Sequence, residues 1–129
     1  MILQRKVIRA ISWSERNAHT PPLFFRYGLL RVAEFNEYHN ACTMFQVVND
    51  LNPRLSELVP IYYPNHSYST RNSDHIHGKD RMLECTRLSV VYRGPQIWNN
   101  LDNSLKDMKS FSSFKKNLKR LLISHYETE

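Results

Sequence analysis

The residues best suited to bind a metal lie together in one polar stretch of the chain. Asp74-His75-Ile76-His77 offers three potential ligands within four positions, and Cys85 follows them. Zinc sites normally use pairs of Cys or His ligands at short spacings, and the sequence has no C-x-x-C pair. Alternating histidines in an irregular segment are usually solvated or stacked, so we expect no metal and no other cofactor.

The carboxylates are scattered rather than clustered. Two-metal nucleotidyl transfer requires carboxylates that hold two cations about 4 Å apart, and no two aspartates are adjacent here. The aspartates are Asp50, Asp74, Asp80, Asp102 and Asp107. The sequence also lacks a glycine-rich phosphate loop, a G-x-S-x-G elbow and an H-E-x-x-H helix. We therefore expect that the chain is not an enzyme on its own and has no small-molecule substrate.

Cysteine usage and hydropathy favour an intracellular protein, nuclear or cytoplasmic rather than secreted. Cys42 and Cys85 are the only cysteines, and two isolated cysteines do not make a disulfide framework. The first residues, MILQRKVIRAIS, have a helical period instead of the apolar core and cleavage site of a secretory signal. No apolar run approaches the roughly 20 residues of a membrane span, so we expect no membrane partner.

Positive charge is concentrated towards both ends of the sequence. Of a net charge of +6, residues 1–16 carry +3 and residues 103–122 carry +5, around a near-neutral middle. This distribution favours a polyanion-binding surface on the terminal helices. The alternative is that these Lys and Arg side chains only keep the outer helix faces in contact with water. In the polar middle, Tyr68 and Arg71 combine an aromatic ring with a cation, which is typical of single-strand binding. The candidate nucleic-acid-binding residues are Arg5, Lys6, Arg9, Tyr68, Arg71, Lys115, Lys116, Lys119 and Arg120.

Apolar residues at helical spacing predict the elements of the N-terminal half. Leu3, Val7, Ile8 and Ile11 form one face of a first helix, whose opposite face is basic. Because its pattern begins at residue two without a capping residue, we expect the natural unit to extend further upstream.

Proline and glycine mark the next boundaries. Thr20-Pro21-Pro22 predicts a helix start capped by Thr20, and Gly28 predicts a left-handed stop. Residues 32–51 carry two apolar stripes and are predicted to be the central helix of the core, ended by Asn52-Pro53. A short helical turn is predicted at 54–58.

The C-terminal half alternates irregular and helical patterns. Residues 60–80 predict a long irregular segment, and β-branched residues favour a short β-hairpin or extended piece near 81–92. Gly94-Pro95 then predicts a helix over 95–101, in which Trp98 is expected to pack into the core. A last helix follows Ser110, with Phe111, Phe114, Leu118, Leu121, Leu122 and His125 on one face and the lysines on the other.

Together these patterns predict a mainly α fold, a small bundle of about four to six helices around the central helix 32–51. We expect a single domain over residues 1–129. It would comprise a helical N-terminal half (1–58), a loop-rich segment (59–93) and C-terminal helices (94–126).

Five segments, in order, match the pattern of a known family. They read LQRKVIRAI (3–11), AHTPPLF (18–24), HSYSTR (66–71), YRGPQIWNNL (92–101) and SFSSFKKNLK (110–119). Over residues 3–126 the chain resembles the C-terminal tail of reverse transcriptases from non-LTR retrotransposons, the jockey-like and chicken-repeat-like LINE group.

The sequence also departs from that family. Nothing resembles the Y-x-D-D catalytic turn or the endonuclease domain, and Asp102 replaces the proline expected after W-N-x-L. The resemblance therefore implies a non-catalytic fragment of an RNA-directed DNA polymerase polyprotein. In the family this region is expected to help grip template RNA and target DNA, which the resemblance carries to the matching candidate residues.

Three functional hypotheses remain open at this point. The first is binding of RNA or single-stranded DNA through the basic helices. The second is a protein-interaction piece whose first helix packs on the thumb of an upstream polymerase domain. The third is a relic open reading frame with no selected function.

Overall fold

The computed structural model describes residues 2–63, 75–78 and 89–127. As predicted, the chain is mainly helical. Its helices are α1 (Ile2–Ile11), α2 (Pro21–Tyr27), α3 (Val32–Val48), α4 (Pro53–Leu58), α5 (Val90–Asn100), α6 (Asn103–Lys106) and α7 (Phe111–Ser124), followed by a 3-10 turn, His125–Glu127. Within these ranges, Tyr62 and His77 form an isolated antiparallel β-bridge.

The chain divides into two compact units. Unit 1 comprises residues 1–38 and 115–129, and unit 2 comprises residues 39–114. The expectation that residues 1–129 form a single domain stays a prediction.

Helix α2 begins and ends where the sequence predicts, but Thr20 does not cap it. A capping residue is normally extended so that its side chain reaches the first free N–H groups. Thr20 is already helical (φ −88, ψ −28) and its side chain makes no capping hydrogen bond. Gly28 does adopt the left-handed conformation, with φ 59. The N–H of Gly28 donates to the Phe25 carbonyl and that of Leu29 to the Phe24 carbonyl, both at 3.0 Å, a Schellman ending.

Helix α3 ends at Val48, before the predicted boundary at residue 51. A Schellman ending like that of α2 stops the helix early. Asp50 adopts φ 49, and the N–H of Leu51 donates back to the Gln46 carbonyl at 2.9 Å. The C-terminal half of α3 is covered on several sides, as its two apolar stripes predict. Its buried residues are Asn40, Ala41, Cys42, Met44, Phe45 and Val47.

Aromatic rings form the core of unit 2. The Phe45 ring stacks on Phe114 at 4.4 Å between centroids and on Phe111 at 5.7 Å. Trp98 meets Phe45 edge-on at 6.3 Å, which confirms that this tryptophan packs in the core.

Helix α5 begins earlier than predicted, so the extended piece near 81–92 is wrong for residues 90–92; residues 81–88 lie outside the described ranges. Ser89 starts the helix, since its side-chain oxygen accepts the N–H of Val91 at 3.2 Å. Pro95 consequently lies inside the helix instead of in its first turn. The preceding Gly94 packs so closely that an added Cβ would lie 2.7 Å from the Met44 sulfur.

The Asn99 side chain fixes the backbone of Ile76. Its Oδ1 accepts the Ile76 N–H at 2.9 Å, and its Nδ2 donates to the Ile76 carbonyl at 2.8 Å. Next to this pair, the Tyr62 and His77 backbones exchange two hydrogen bonds of 2.8 Å. Parts of the predicted irregular segment 60–80 are thus attached to helix α5 through one amide group.

Asp102 precedes helix α6 and has an extended backbone. The Ser104 hydroxyl donates to its carboxylate at 2.7 Å, and this hydrogen bond lowers the pKa of Asp102 below its usual value. The carboxylate therefore keeps its charge to a lower pH than an ordinary aspartate does.

We predict that Asn99→Ala lowers the free energy of unfolding by about 1–3 kcal/mol, because both backbone groups of the buried Ile76 lose their partner. Urea denaturation of the full chain measures this change. Asn100→Ala is the matched control, since Asn100 is an exposed asparagine on the same helix. Equal losses for the two variants would contradict the role assigned to Asn99.

Candidate nucleic-acid interface

A small hydrophobic cluster forms the core of unit 1. Ile8 of α1, Phe24 of α2 and Tyr126 of the final turn are buried together, and Leu23 and Ile123 pack against them. The Phe24 and Tyr126 rings lie 6.2 Å apart at 60°. This cluster brings helix α1 and the C-terminal residues, which carry most of the candidate cations, into one unit.

The connection between α2 and α3 is held by polar contacts around the same cluster. The Arg31 N–H donates to the Tyr126 hydroxyl at 3.1 Å, and the Arg31 guanidinium lies 4.4 Å from the centre of that ring. The Gln4 side chain donates to the Leu30 carbonyl at 3.0 Å and accepts the Val32 N–H at 3.1 Å. Gln4 therefore fixes a backbone segment in unit 1 as Asn99 does in unit 2.

Of the four apolar residues that form one face of α1 in the sequence, Ile8 alone is buried. Ile8 is 2% exposed, whereas Leu3, Val7 and Ile11 are 76%, 54% and 56% exposed. The reason is that Gln4 and Ile8, one turn apart, are the residues that face the unit. The stripe of Leu3, Val7 and Ile11 lies beside that contact and faces outward.

Helix α1 ends in the same type of motif as α2 and α3, but with a tryptophan at the left-handed position. Trp13 has φ 52, its N–H reaches the Ala10 carbonyl at 3.4 Å, and the Ser14 N–H donates to the Arg9 carbonyl at 3.1 Å. The Trp13 side chain is 95% exposed. An indole is therefore presented to solvent from a fixed turn.

Trp13 borders a groove of about 930 Å³ at the end of α1. Its lining combines this aromatic ring with three cations and small or polar residues. The lining residues are Lys6, Arg9, Ala10, Trp13, Ser14, Arg16 and Asn17. Cations beside an exposed indole are the components of a single-strand binding surface.

Arg9 has a structural contact as well as a place in the groove. Its Nε donates to the Ala18 carbonyl at 3.0 Å, and the side chain is half-buried. This hydrogen bond closes the turn that carries Trp13 and Arg16. The conformation of the groove therefore depends on Arg9.

The cations of α7 lie on the exposed side of that helix. Within unit 1, Leu118 and Leu122 are buried and Leu121 is partly exposed. Lys115, Lys116, Lys119 and Arg120 are exposed. Lys119 borders a second, largely apolar groove of about 320 Å³, lined also by Gly28, Leu29, Leu30, Phe35 and Tyr38.

The structure brings some of the predicted residues together and not others. Lys6 and Arg9 share the Trp13 groove, whereas Arg5 is exposed on α1 outside its lining. Tyr68 and Arg71 lie outside the described residues. Trp13 and Arg16 are not among the candidate residues named from the sequence. The signal that could have identified them is a tryptophan between two serines and near an arginine, just after the apolar pattern of α1.

The net charge of the protein belongs mainly to unit 1. That unit contains ten Lys and Arg residues against five Glu, a net charge of +5, whereas unit 2 contains eight against seven acidic residues, a net charge of +1. Long-range attraction for a polyanion is therefore centred on the unit that contains the Trp13 groove.

The described part of the chain contains no group of three His, Cys, Asp or Glu side chains that could hold a metal ion; Asp74 and Cys85 of the sequence cluster lie outside it. None of its helices has the length and apolar character needed to cross a membrane.

No protein-family model, curated protein or solved structure matches this chain.

We predict that Arg9→Ala lowers the free energy of unfolding by about 1 kcal/mol, because the Ala18 carbonyl loses its side-chain donor. Arg5→Ala removes the same charge from an exposed position of the same helix and serves as the control. Thermal denaturation monitored by circular dichroism compares the two variants. If Arg5→Ala destabilises the chain as much as Arg9→Ala, the turn-closing role of Arg9 is wrong.

Proposed function

We propose that this protein binds RNA or single-stranded DNA through unit 1. The observation that carries the proposal is the groove at the end of α1, where Lys6, Arg9 and Arg16 surround the exposed Trp13. The excess of cations in the same unit supports it. The exposed cations of α7 and Arg5 extend the basic surface available to a phosphate backbone.

The sequence resemblance supports a more specific setting. We infer that the chain corresponds to the region that follows the polymerase in a non-LTR retrotransposon polyprotein. Its own role there is non-catalytic, namely to hold template RNA or a target DNA strand near the polymerase. The matching residues Tyr68 and Arg71 belong to this proposal on the strength of the sequence pattern alone.

Electrostatics determines how such binding depends on salt. Each phosphate that a Lys or Arg neutralises releases condensed counterions, so the logarithm of the affinity falls linearly with the logarithm of the salt concentration. For a single strand the slope decreases by about 0.7 for each phosphate contact that is lost. The slope therefore counts the cations that contact the strand.

We predict that Lys115→Ala/Lys116→Ala/Lys119→Ala weakens binding to a short single-stranded RNA and reduces the salt slope by up to about 2. The changed side chains are exposed, and alanine maintains the helix. Fluorescence anisotropy of the labelled RNA, measured over a series of salt concentrations, gives both quantities.

The matched control removes the same charge from unit 2. Arg54, Arg93 and Lys109 are exposed, and Arg54→Ala/Arg93→Ala/Lys109→Ala should leave the slope near that of the wild type. Equal effects of the two triple variants would remove α7 from the binding surface. Absence of wild-type binding at about 50 mM salt would refute the proposed function.

A second function is favoured by a separate observation, the outward apolar stripe of Leu3, Val7 and Ile11 on α1. An apolar helix face of this kind is typical of a protein contact. We infer that this stripe packs on an upstream polymerase domain of the same polyprotein. The stripe and the Trp13 groove involve different residues, so both functions are compatible in one chain.

We predict that the isolated chain self-associates through this stripe and that Leu3→Gln/Val7→Gln makes it monomeric. Exposed apolar area drives the association, and glutamine preserves the helix. Leu51→Gln/Leu58→Gln, which changes two exposed residues of unit 2, is the control. Sedimentation velocity distinguishes the species, and a monodisperse wild-type monomer would count against this second function.

A further inference from the structure

We propose that Trp13 is a stacking platform for an unpaired nucleobase, with Lys6, Arg9 and Arg16 holding the neighbouring phosphates. The inference rests on the proposed function and names the chemistry of the ligand, a single strand with an unpaired base that stacks on an aromatic ring. It assigns a specific task to a residue that the sequence motifs do not include.

The backbone conformation of Trp13 does not favour a tryptophan. The left-handed conformation costs an ordinary L-residue free energy, and a bulky side chain is rare there. Three helices end in this motif, and the other two have the residue types that tolerate it, Gly28 (φ 59) and Asp50 (φ 49). Trp13, at φ 52, therefore has no backbone reason to be a tryptophan.

Packing does not explain Trp13 either. Its side chain is 95% exposed, so it contributes little to the core of unit 1. By contrast Trp98, the other tryptophan, is 5% exposed among the aromatic rings of unit 2. A strained residue whose large side chain is in solvent is best explained by a ligand that covers it.

The chemistry of the residues around Trp13 selects the ligand. Lys6, Arg9 and Arg16 line the groove with Trp13, and the remaining lining residues, Ala10, Ser14 and Asn17, are uncharged. An acidic peptide would satisfy the cations but would leave the indole face without a flat partner. An unpaired base with its phosphates satisfies both, and a duplex does not, because its bases are already stacked.

The test uses the full chain and intrinsic tryptophan fluorescence. A short oligothymidylate should quench the emission of Trp13, since a stacked base quenches an indole, while the buried Trp98 provides a constant background. A duplex of the same length should leave the emission unchanged. In Trp13→Phe the quenching should disappear, although phenylalanine preserves part of the affinity.

An abasic strand with the same number of phosphates separates stacking from charge. Stacking on an aromatic side chain is worth about 1–3 kcal/mol per base, so Trp13→Gly should weaken oligothymidylate binding by about 5- to 150-fold. The same variant should bind the abasic strand as the wild type does. Its melting temperature should not fall, because glycine relieves the left-handed strain.

The outcomes separate this inference from the proposed function. If the wild type binds the abasic strand and oligothymidylate equally well, or binds without quenching Trp13, the stacking platform is refuted and phosphate binding stands. If a poly-glutamate peptide competes as well as oligothymidylate, the inference is likewise refuted. A lower melting temperature in Trp13→Gly would assign Trp13 a structural role instead. If neither strand binds at about 50 mM salt, both proposals fail.

Discussion

The contact on which unit 1 depends is the burial of three side chains, Ile8, Phe24 and Tyr126, from segments far apart in the sequence. Without it, α1 and the C-terminal residues would have no shared core, because the rest of α1 presents mostly exposed side chains. The Tyr126 hydroxyl and ring also position Arg31, and so fix the start of α3. The basic surface is thus a consequence of a small apolar cluster, whose loss would separate the cations of α1 from those of α7.

Several residues of the five-segment sequence pattern have structural roles in the fold. Gln4 and Asn99 each use one amide group to bind a donor and an acceptor of a distant backbone segment. Arg9 closes a turn through the Ala18 carbonyl, and Trp98 packs in an aromatic core. A pattern of this kind reports which fold a chain adopts more directly than what it binds. Trp13, whose identity neither backbone conformation nor packing explains, lies between the segments 3–11 and 18–24.

Local sequence signals predicted most of the helices, whereas the start of α5 and the buried residues of α1 have separate explanations. Helical period and the Pro and Gly boundaries located α2, α4 and α7, because those signals act within a few residues. The sequence pattern places the start of α5 too late, because proline is typical of a first helical turn, whereas Ser89 caps this helix well before Pro95. On α1, the apolar period does not reveal that the polar Gln4, bound to the backbone at 30 and 32, turns inward with Ile8. As for the site, the sequence indicated Lys6 and Arg9, but only the left-handed turn and its exposure single out Trp13.

We propose above that a single nucleic-acid strand binds to unit 1. The most direct measurement is a titration of the isotopically labelled chain with single-stranded RNA, followed through its backbone amide and two indole N–H signals in nuclear magnetic resonance spectra. If the strand binds to unit 1, the indole signal of Trp13 and the amides at the end of α1 shift, while the indole signal of Trp98 remains in place. Shifts confined to residues 39–114, or an unchanged Trp13 signal at saturation, would contradict it.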